Sequence, residues 1–240
     1  MMLPRFGFVT VHGRALDDGP AAEDEWSARA VATGRAAAHV WHATPGLIVP
    51  RQYTRLPGWA EASRRHAVHV RASGGGVVPQ GPGVLNLSLV WPAAANAPVV
   101  LDAVYAALCS ELAAALARLD LRAVPQPVQG SFCDGRYNLA VAGRKLAGTA
   151  QAWRRSGGRT VVLAHAALVT IGDPQALTEQ ANAFERDVGS DRRYRADALT
   201  SVALAWQDGH PGAVAADLDA RVAHLLGEQF ARMIAPHEAQ

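Results

Sequence analysis

Strands with helices on their flanks predict a mixed fold, α/β or α+β, read as one domain over residues 1–240. Three observations carry this reading. Residues 99–119 (VVLDAVYAALCSELAAALARL) repeat apolar side chains at spacings of three and four, through Leu101, Val104, Tyr105, Leu108, Leu112, Leu116 and Leu119, as one face of a helix does. Residues 136–170 hold apolar runs broken at Ala142-Gly143 and Gly157-Gly158, which read as strands joined by tight turns. Half of the 240 residues are hydrophobic and 18% are charged, enough apolar surface for a core and too little charge for a disordered chain.

The remaining elements follow in order. Residues 20–37 open with proline and acids and run into alanine, which suits a helix N-terminus. Residues 38–54 read as two short strands split by Thr44-Pro45-Gly46. A further strand runs from His66 to Arg71 into the glycines Gly74 to Gly76, and Gly83 to Trp91 reads as a buried strand. Residues 175–188 and 213–233 read as helices.

Composition removes several function classes. A formal net charge of +2 gives no basic excess for nucleic acid. Two cysteines cannot make a disulfide scaffold. No apolar run approaches a membrane span, and the start lacks an apolar signal core, so a cytoplasmic protein without a membrane partner is expected. His66 and His69 would point to opposite faces of a strand, and no Cys/His cluster has zinc spacing, so no metal is expected.

One bias points to a site. Of the 23 basic side chains, 22 are arginine and one is lysine, Lys145. An ammonium is a compact point charge and a guanidinium a broad planar fork, so a lone lysine marks a place where arginine would not serve. If Ala142-Gly143 is a two-residue turn, Val141 opposes Arg144 and Ala140 opposes Lys145. Lys145 then shares a face with Asn138, Ala140, Ala147 and Thr149, small residues that leave room for a ligand. Cys109 reads as a small buried hydrophobe on its helix. Cys133, in the glycine-bounded loop GSFCDG, reads as an accessible thiol, and a thiol is the most nucleophilic side chain near neutral pH. The glycines after Arg71 and Ser73 let backbone N–H groups approach a ligand, yet they match neither a Walker loop nor a dinucleotide fingerprint.

Taken together, VRASGGGVVPQGPGVLNLSLVWP (70–92) and SFCDGRYNLAVAGRKLAGTAQ (131–151) resemble the biotin/lipoate A/B protein ligase superfamily. The closest likeness is to its Cys-dependent octanoyl/lipoyl amidotransferase branch, through Cys133, Gly135, Tyr137, Gly143, Arg144, Lys145, Ala147, Gly148 and Gln151. The ATP-dependent ligases carry a double arginine before the glycines and a histidine after them, where this chain has Val70 and Gln80. The resemblance implies an α+β catalytic domain with a mixed central sheet flanked by helices, like the class II aminoacyl-tRNA synthetases. It implies an acyltransferase that moves an octanoyl or lipoyl group onto a lysine of a lipoyl carrier domain or glycine cleavage H protein. Cys133 would form a thioester, Lys145 would stabilise the oxyanion, and no cofactor would be required. Arg71, Ser73, Gly74, Gly75, Gly76, Asn86, Tyr137, Ala147, Gly148 and Gln151 would bind substrate, the chain lying over Ala140 and Ala147. The alternatives are an ATP- and Mg-dependent lipoate or biotin ligase, and a non-catalytic carrier-binding module. The transferase reading has a geometric demand. Seven residues separate Cys133 from Ala140, roughly 23 Å if extended, so loop 130–135 must fold back over the sheet.

Overall fold

The computed structural model describes residues 3–93, 100–156, 158–212 and 217–233. Its centre is β6 (Val84–Ala93), whose first eight residues are all buried. A strand buried on both faces must be covered on both, and the other elements do this. Around it lie β1 (Phe8–Val11), β2 (Ala37–His42), β7 (Val124–Pro125), β8 (Leu139–Val141), β9 (Arg144–Ser156) and β10 (Arg159–Val169). The seven strands form one sheet in the order β1-β2-β6-β10-β9-β8-β7. Only β1 and β2 pair in parallel, so the sheet is mixed and mostly antiparallel. The fold is α+β.

One face of this sheet is covered by α3 (Leu101–Ala117), α5 (Val202–Gly209) and α6 (Leu218–Ala231). Leu108, Leu112 and Leu116 of α3 and Leu226 and Phe230 of α6 pack there on Leu85, Leu87 and Leu89. The other face meets α1 (Gly19–Thr33) and a second sheet of three strands, in the order β4 (Val68–Arg71), β3 (Gly46–Pro50), β5 (Val78–Gln80). Behind the small sheet lie α2 (Trp59–Arg65) and α4 (Pro174–Asp187), with Phe184 fully buried. The two sheets and α1 enclose the space where the site lies.

Local chemistry sets the boundaries. Asp18 caps α1 by accepting from the Ala21 N–H, and Gly34, at φ 69°, ends it before the expected residue 37. Thr44-Pro45-Gly46 separates two strands as expected, but it sends them into different sheets. The stretch after Pro50 turns as a short 3₁₀ helix over Arg51–Arg55 instead of continuing as strand. The strand expected from His66 begins at Val68, because His66 ends α2 by donating to the Ala62 carbonyl. Residues 213–216 of the helix expected over 213–233 lie outside the described residues, as does Gly157 of the second turn. The described part of that helix starts at Leu218.

Ala142 (φ 48°) and Gly143 (φ 78°) form the expected two-residue turn, and Val141↔Arg144 and Ala140↔Lys145 pair as expected. The alternation then fails. Leu139 pairs with Ala147, so Leu146 is an extra residue on β9 and a bulge shifts every later side chain by one face. Leu146 and Ala147 both turn into the helix-covered core, and Gly148 replaces Ala147 beside Lys145.

Gly83 fixes the start of β6. Its carbonyl accepts from the Thr170 and Gly172 N–H groups, its φ is +80°, and a Cβ there would stand 2.2 Å from the Gly172 nitrogen. Gly83→Ala is expected to cost at least ~2 kcal/mol in urea denaturation, and an unchanged midpoint would contradict this packing.

Candidate active site

Loop 130–135 does fold back. Its turn is made by Gly130 (φ 79°) and by Cys133 itself, whose φ of 61° is rare for a residue with a side chain. The Cys133 carbonyl is held by two donors, Asn138 Nδ2 at 2.7 Å and Lys145 Nζ at 3.1 Å, while the Ser131 hydroxyl donates to the Val128 carbonyl at 2.8 Å. Lys145 Nζ also donates to the Phe132 carbonyl. The loop therefore lies over the sheet with its backbone pinned to the lysine, while the Cys133 side chain remains exposed.

Lys145 is 5% exposed and forms no ion pair with a carboxylate among the described residues. Burial pushes its ammonium down to about 8, against the opposing pull of a Cys133 thiolate. Room for it depends on Gly148, where a Cβ would stand 3.0 Å from Nζ. Cys109, by contrast, is buried in the core, and burial pushes its thiol up to about 11. Of the two thiols, Cys133 is the accessible one.

The glycine turn faces this loop. Arg71 is 5% exposed and donates to the carbonyls of Ile48 (2.9 Å), Gly74 (3.0 Å) and Gly76 (2.7 Å). Its guanidinium thus shapes the turn from inside, and burial lowers it to about 10, still charged at neutral pH. At Gly75 (φ 110°) a Cβ would lie 3.9 Å from Cys133 Sγ, and at Gly76 one would lie 3.7 Å from the Cys133 nitrogen. The backbone there reaches the thiol because no side chain intervenes.

A cavity between the two sheets runs inward from Cys133. Its walls include Ile48 and Val78 of the small sheet, and Lys145, Gly148, Ala150, Ala167 and Val169 of the large one. It is mostly apolar, and its volume of ≈ 90 Å³ compares with ~10–15 Å³ for one water, so it holds a short chain. Its polar part is a chain of hydrogen bonds. Glu23, 4% exposed, accepts from Ser88 Oγ (2.7 Å) and pairs with His165 Nδ1 (2.8 Å). His165 Nε2 lies 2.8 Å from Ser73 Oγ, and Trp41 Nε1 donates to Ser88 Oγ at 2.9 Å. Burial raises the Glu23 carboxyl, but the His165 charge and the hydrogen bonds from His165 and Ser88 outweigh it, so it sits below the usual value.

The structure thus brings together Cys133, Lys145, Arg71, Ser73, Gly74 to Gly76, Asn86 and Gly148. Asn86 lines the cavity and donates to Gln80 Oε1 at 2.8 Å. Three others lie elsewhere. Tyr137 stacks on Tyr105 with ring centroids 4.8 Å apart, Gln151 donates to the Leu101 carbonyl, and Ala147 is in the core. Ala140 packs on Val128 and Ala198, so the slot does not run over Ala140 and Ala147. The bulge at Leu146 is what turns Ala147 into the core. Glu23, Trp41, Phe132 and His165 were not singled out from the sequence. Glu23 carried a signal, since it falls on the same α1 stripe as the buried Ser27 and Ala30.

The chain matches the lipoyl protein ligase A/B catalytic domain over residues 25–201. An uncharacterised protein of Cupriavidus necator is 45% identical over 188 residues, which are 71% of this chain and 74% of that one. The octanoyl-[GcvH]:protein N-octanoyltransferase of Kyrpidia tusciae is 35% identical over 217 residues, 79% of this chain and 71% of its own. Among solved structures, the bipartite lipoate protein ligase of Thermoplasma acidophilum superposes with a TM-score of 0.60 at 17% identity, covering 98% of this chain and 86% of its own, which is a likeness of fold. No helix among the described residues is long and apolar enough to cross a membrane.

Because Lys145 is the sole lysine, protein labelled in lysine side chains gives one ε-ammonium resonance. Its midpoint in an NMR titration is expected near 8, and a midpoint near the ordinary 10.5 would contradict the burial described. By the match over residues 25–201 and the Kyrpidia relative, the chain belongs to the lipoyl protein ligase A/B catalytic domain family, on its octanoyltransferase-like branch, and is an acyltransferase.

Proposed function

We propose that this enzyme moves an octanoyl or lipoyl group from the lysine of one carrier protein to the lysine of another through a thioester on Cys133. The donor is a glycine cleavage H protein, which the name of the Kyrpidia relative supports, and the acceptor is a lipoyl domain. The observation that carries the reading is the placement of an exposed thiol at the mouth of an apolar slot. The one ammonium of the chain is fixed 3.1 Å from that residue's own carbonyl.

The steps follow from this placement. The acyl chain enters the slot, which leaves the donor amide at the mouth. The Cys133 thiolate attacks the amide carbon, and the Lys145 ammonium, helped by backbone N–H groups of the glycine turn, stabilises the oxyanion. The C–N bond breaks, and the departing amine takes a proton from Lys145, whose value of about 8 suits a donor near neutral pH. The acceptor amine then attacks the thioester, the C–S bond breaks, the thiolate is restored, and neutral Lys145 takes the surplus proton. One amide is exchanged for another, so no ATP is consumed and no cofactor is needed.

Incubation with octanoylated H protein, without ATP, is expected to add one octanoyl group to the intact mass. The adduct should be released by hydroxylamine and absent in Cys133→Ala. An adduct that persists in Cys133→Ala overturns the thioester. ATP–pyrophosphate exchange driven by octanoate or lipoate would establish the ligase reaction instead.

A further inference from the structure

Cys133, Gly75 and Gly76 are shared by two hollows. The inner one is the apolar slot, and the outer is an open depression lined also by Gln52, Ser131, Asp134, Arg192, Arg193 and Tyr194. The thiol stands where they meet. The inner hollow suits a hydrocarbon chain, whereas the outer one carries charge of both signs.

Of its two guanidinium groups, Arg192 is the one tied to a side chain of another element. Nη1 donates to Tyr53 Oη at 3.2 Å. Tyr53 and Tyr194 each donate to Glu185 Oε1 at 2.6 Å, and Glu185 is fully buried. A Cβ at Gly76 would lie 3.5 Å from Arg192 Nη1 and 3.7 Å from the Cys133 nitrogen, so the guanidinium stands one residue's width from the Cys133 backbone. Arg193 touches only the carbonyls of Ser190 and Arg192. Both are exposed, and neither forms an ion pair with a carboxylate among the described residues. Arg51, Arg55 and Asp191, near lining residues in the chain, are exposed, and Arg195 is tied to Asp197. Asp134, next to the thiol, is exposed and likewise forms no ion pair among the described residues.

A guanidinium held in place by neighbours loses little freedom when it meets a carboxylate. An exposed carboxylate beside a nucleophile attracts an ammonium. We infer that the outer depression receives a carrier lysine flanked by acidic residues, with Asp134 drawing in its ammonium and Arg192 and Arg193 pairing with the flanking carboxylates. This rests on the transfer reading above and adds the chemistry by which the carrier is recognised. The reaction is unchanged, and the depression sets which lysine reaches the thiol.

Binding tests it without turnover. The probes are a recombinant apo lipoyl domain in three forms, with the two residues flanking the acceptor lysine both acidic, both amides or both lysines, and a fourth form in which that lysine is replaced by alanine. At low salt the enzyme is expected to bind the acidic form about tenfold more tightly than the amide form, as two exposed charge pairs allow. At about 0.5 M salt the difference should vanish. Arg192→Glu with Arg193→Glu should invert the order so that the lysine-flanked form binds best, and that inversion also shows the variant is folded. Arg193→Glu alone, free of the Tyr53 contact, should move the order part of the way. Asp134→Asn should weaken binding about threefold for forms that keep the acceptor lysine and leave an alanine-substituted form unaffected. Equal affinities for the three forms, or variants that weaken all forms alike, would overturn the proposal. Loading of the wild-type enzyme by the octanoyl thioester of N-acetylcysteamine is measured alongside. Its failure would count against the thioester and leave the binding result standing.

Discussion

Everything at this site depends on a buried ammonium whose nearest partners are backbone carbonyls. Lys145 donates to Phe132 and Cys133 and has no carboxylate partner among the described residues. Taking an ammonium out of water is costly unless its donors are filled. Two carbonyls fill donors without cancelling charge, which is why burial pulls the group down to about 8. The same bonds hold loop 130–135 over the sheet. One interaction therefore fixes where the thiol stands and leaves a positive charge in need of a negative partner beside it. A thiolate or an oxyanion would supply that partner, so the arrangement suits a reaction that forms both.

The surroundings follow from how the two sheets meet. The large sheet turns its Leu85, Leu87 and Leu89 face to the helices, and its opposite face is roofed by the small sheet and α1. Small residues on β9 and β10, Gly148, Ala150 and Ala167, leave an apolar slot where larger ones would fill it. Glu23, His165 and Ser73 complete it with a chain of hydrogen bonds that ties the glycine turn to α1 and β10. Arg71 ties the same turn to β3. The turn is thus held from two sides, and the backbone beside Cys133 is set before substrate arrives.

Much of this was legible in the sequence, for identifiable reasons. The α3 stripe, the Ala142-Gly143 hairpin and the glycine turn are local patterns, and each appears where the spacing placed it, except that Leu101 at the start of the stripe is exposed. Lys145 stood out because the chain uses arginine at every other cationic position. What was not legible depends on contacts distant in sequence. The bulge at Leu146 breaks an otherwise regular alternation, and no residue type announces it. That single insertion moved Ala147 into the core and put Gly148 beside the lysine. The fold-back of the Cys133 loop is fixed by Asn138 and Lys145 from other elements. Glu23 and His165 are 142 residues apart in the chain, and neither sits in a motif. Short elements such as α2 and α5 escaped because seven or eight residues show too few turns for periodicity.

The most direct measurement is a crystal structure of the enzyme carrying an octanoyl thioester on Cys133, trapped without acceptor. The acyl chain is expected to run inward between the sheets past Ala150 and Ala167, with its carbonyl oxygen within hydrogen-bond reach of Lys145 Nζ. A chain lying along the outer surface, or a carbonyl turned away from that nitrogen, would contradict it.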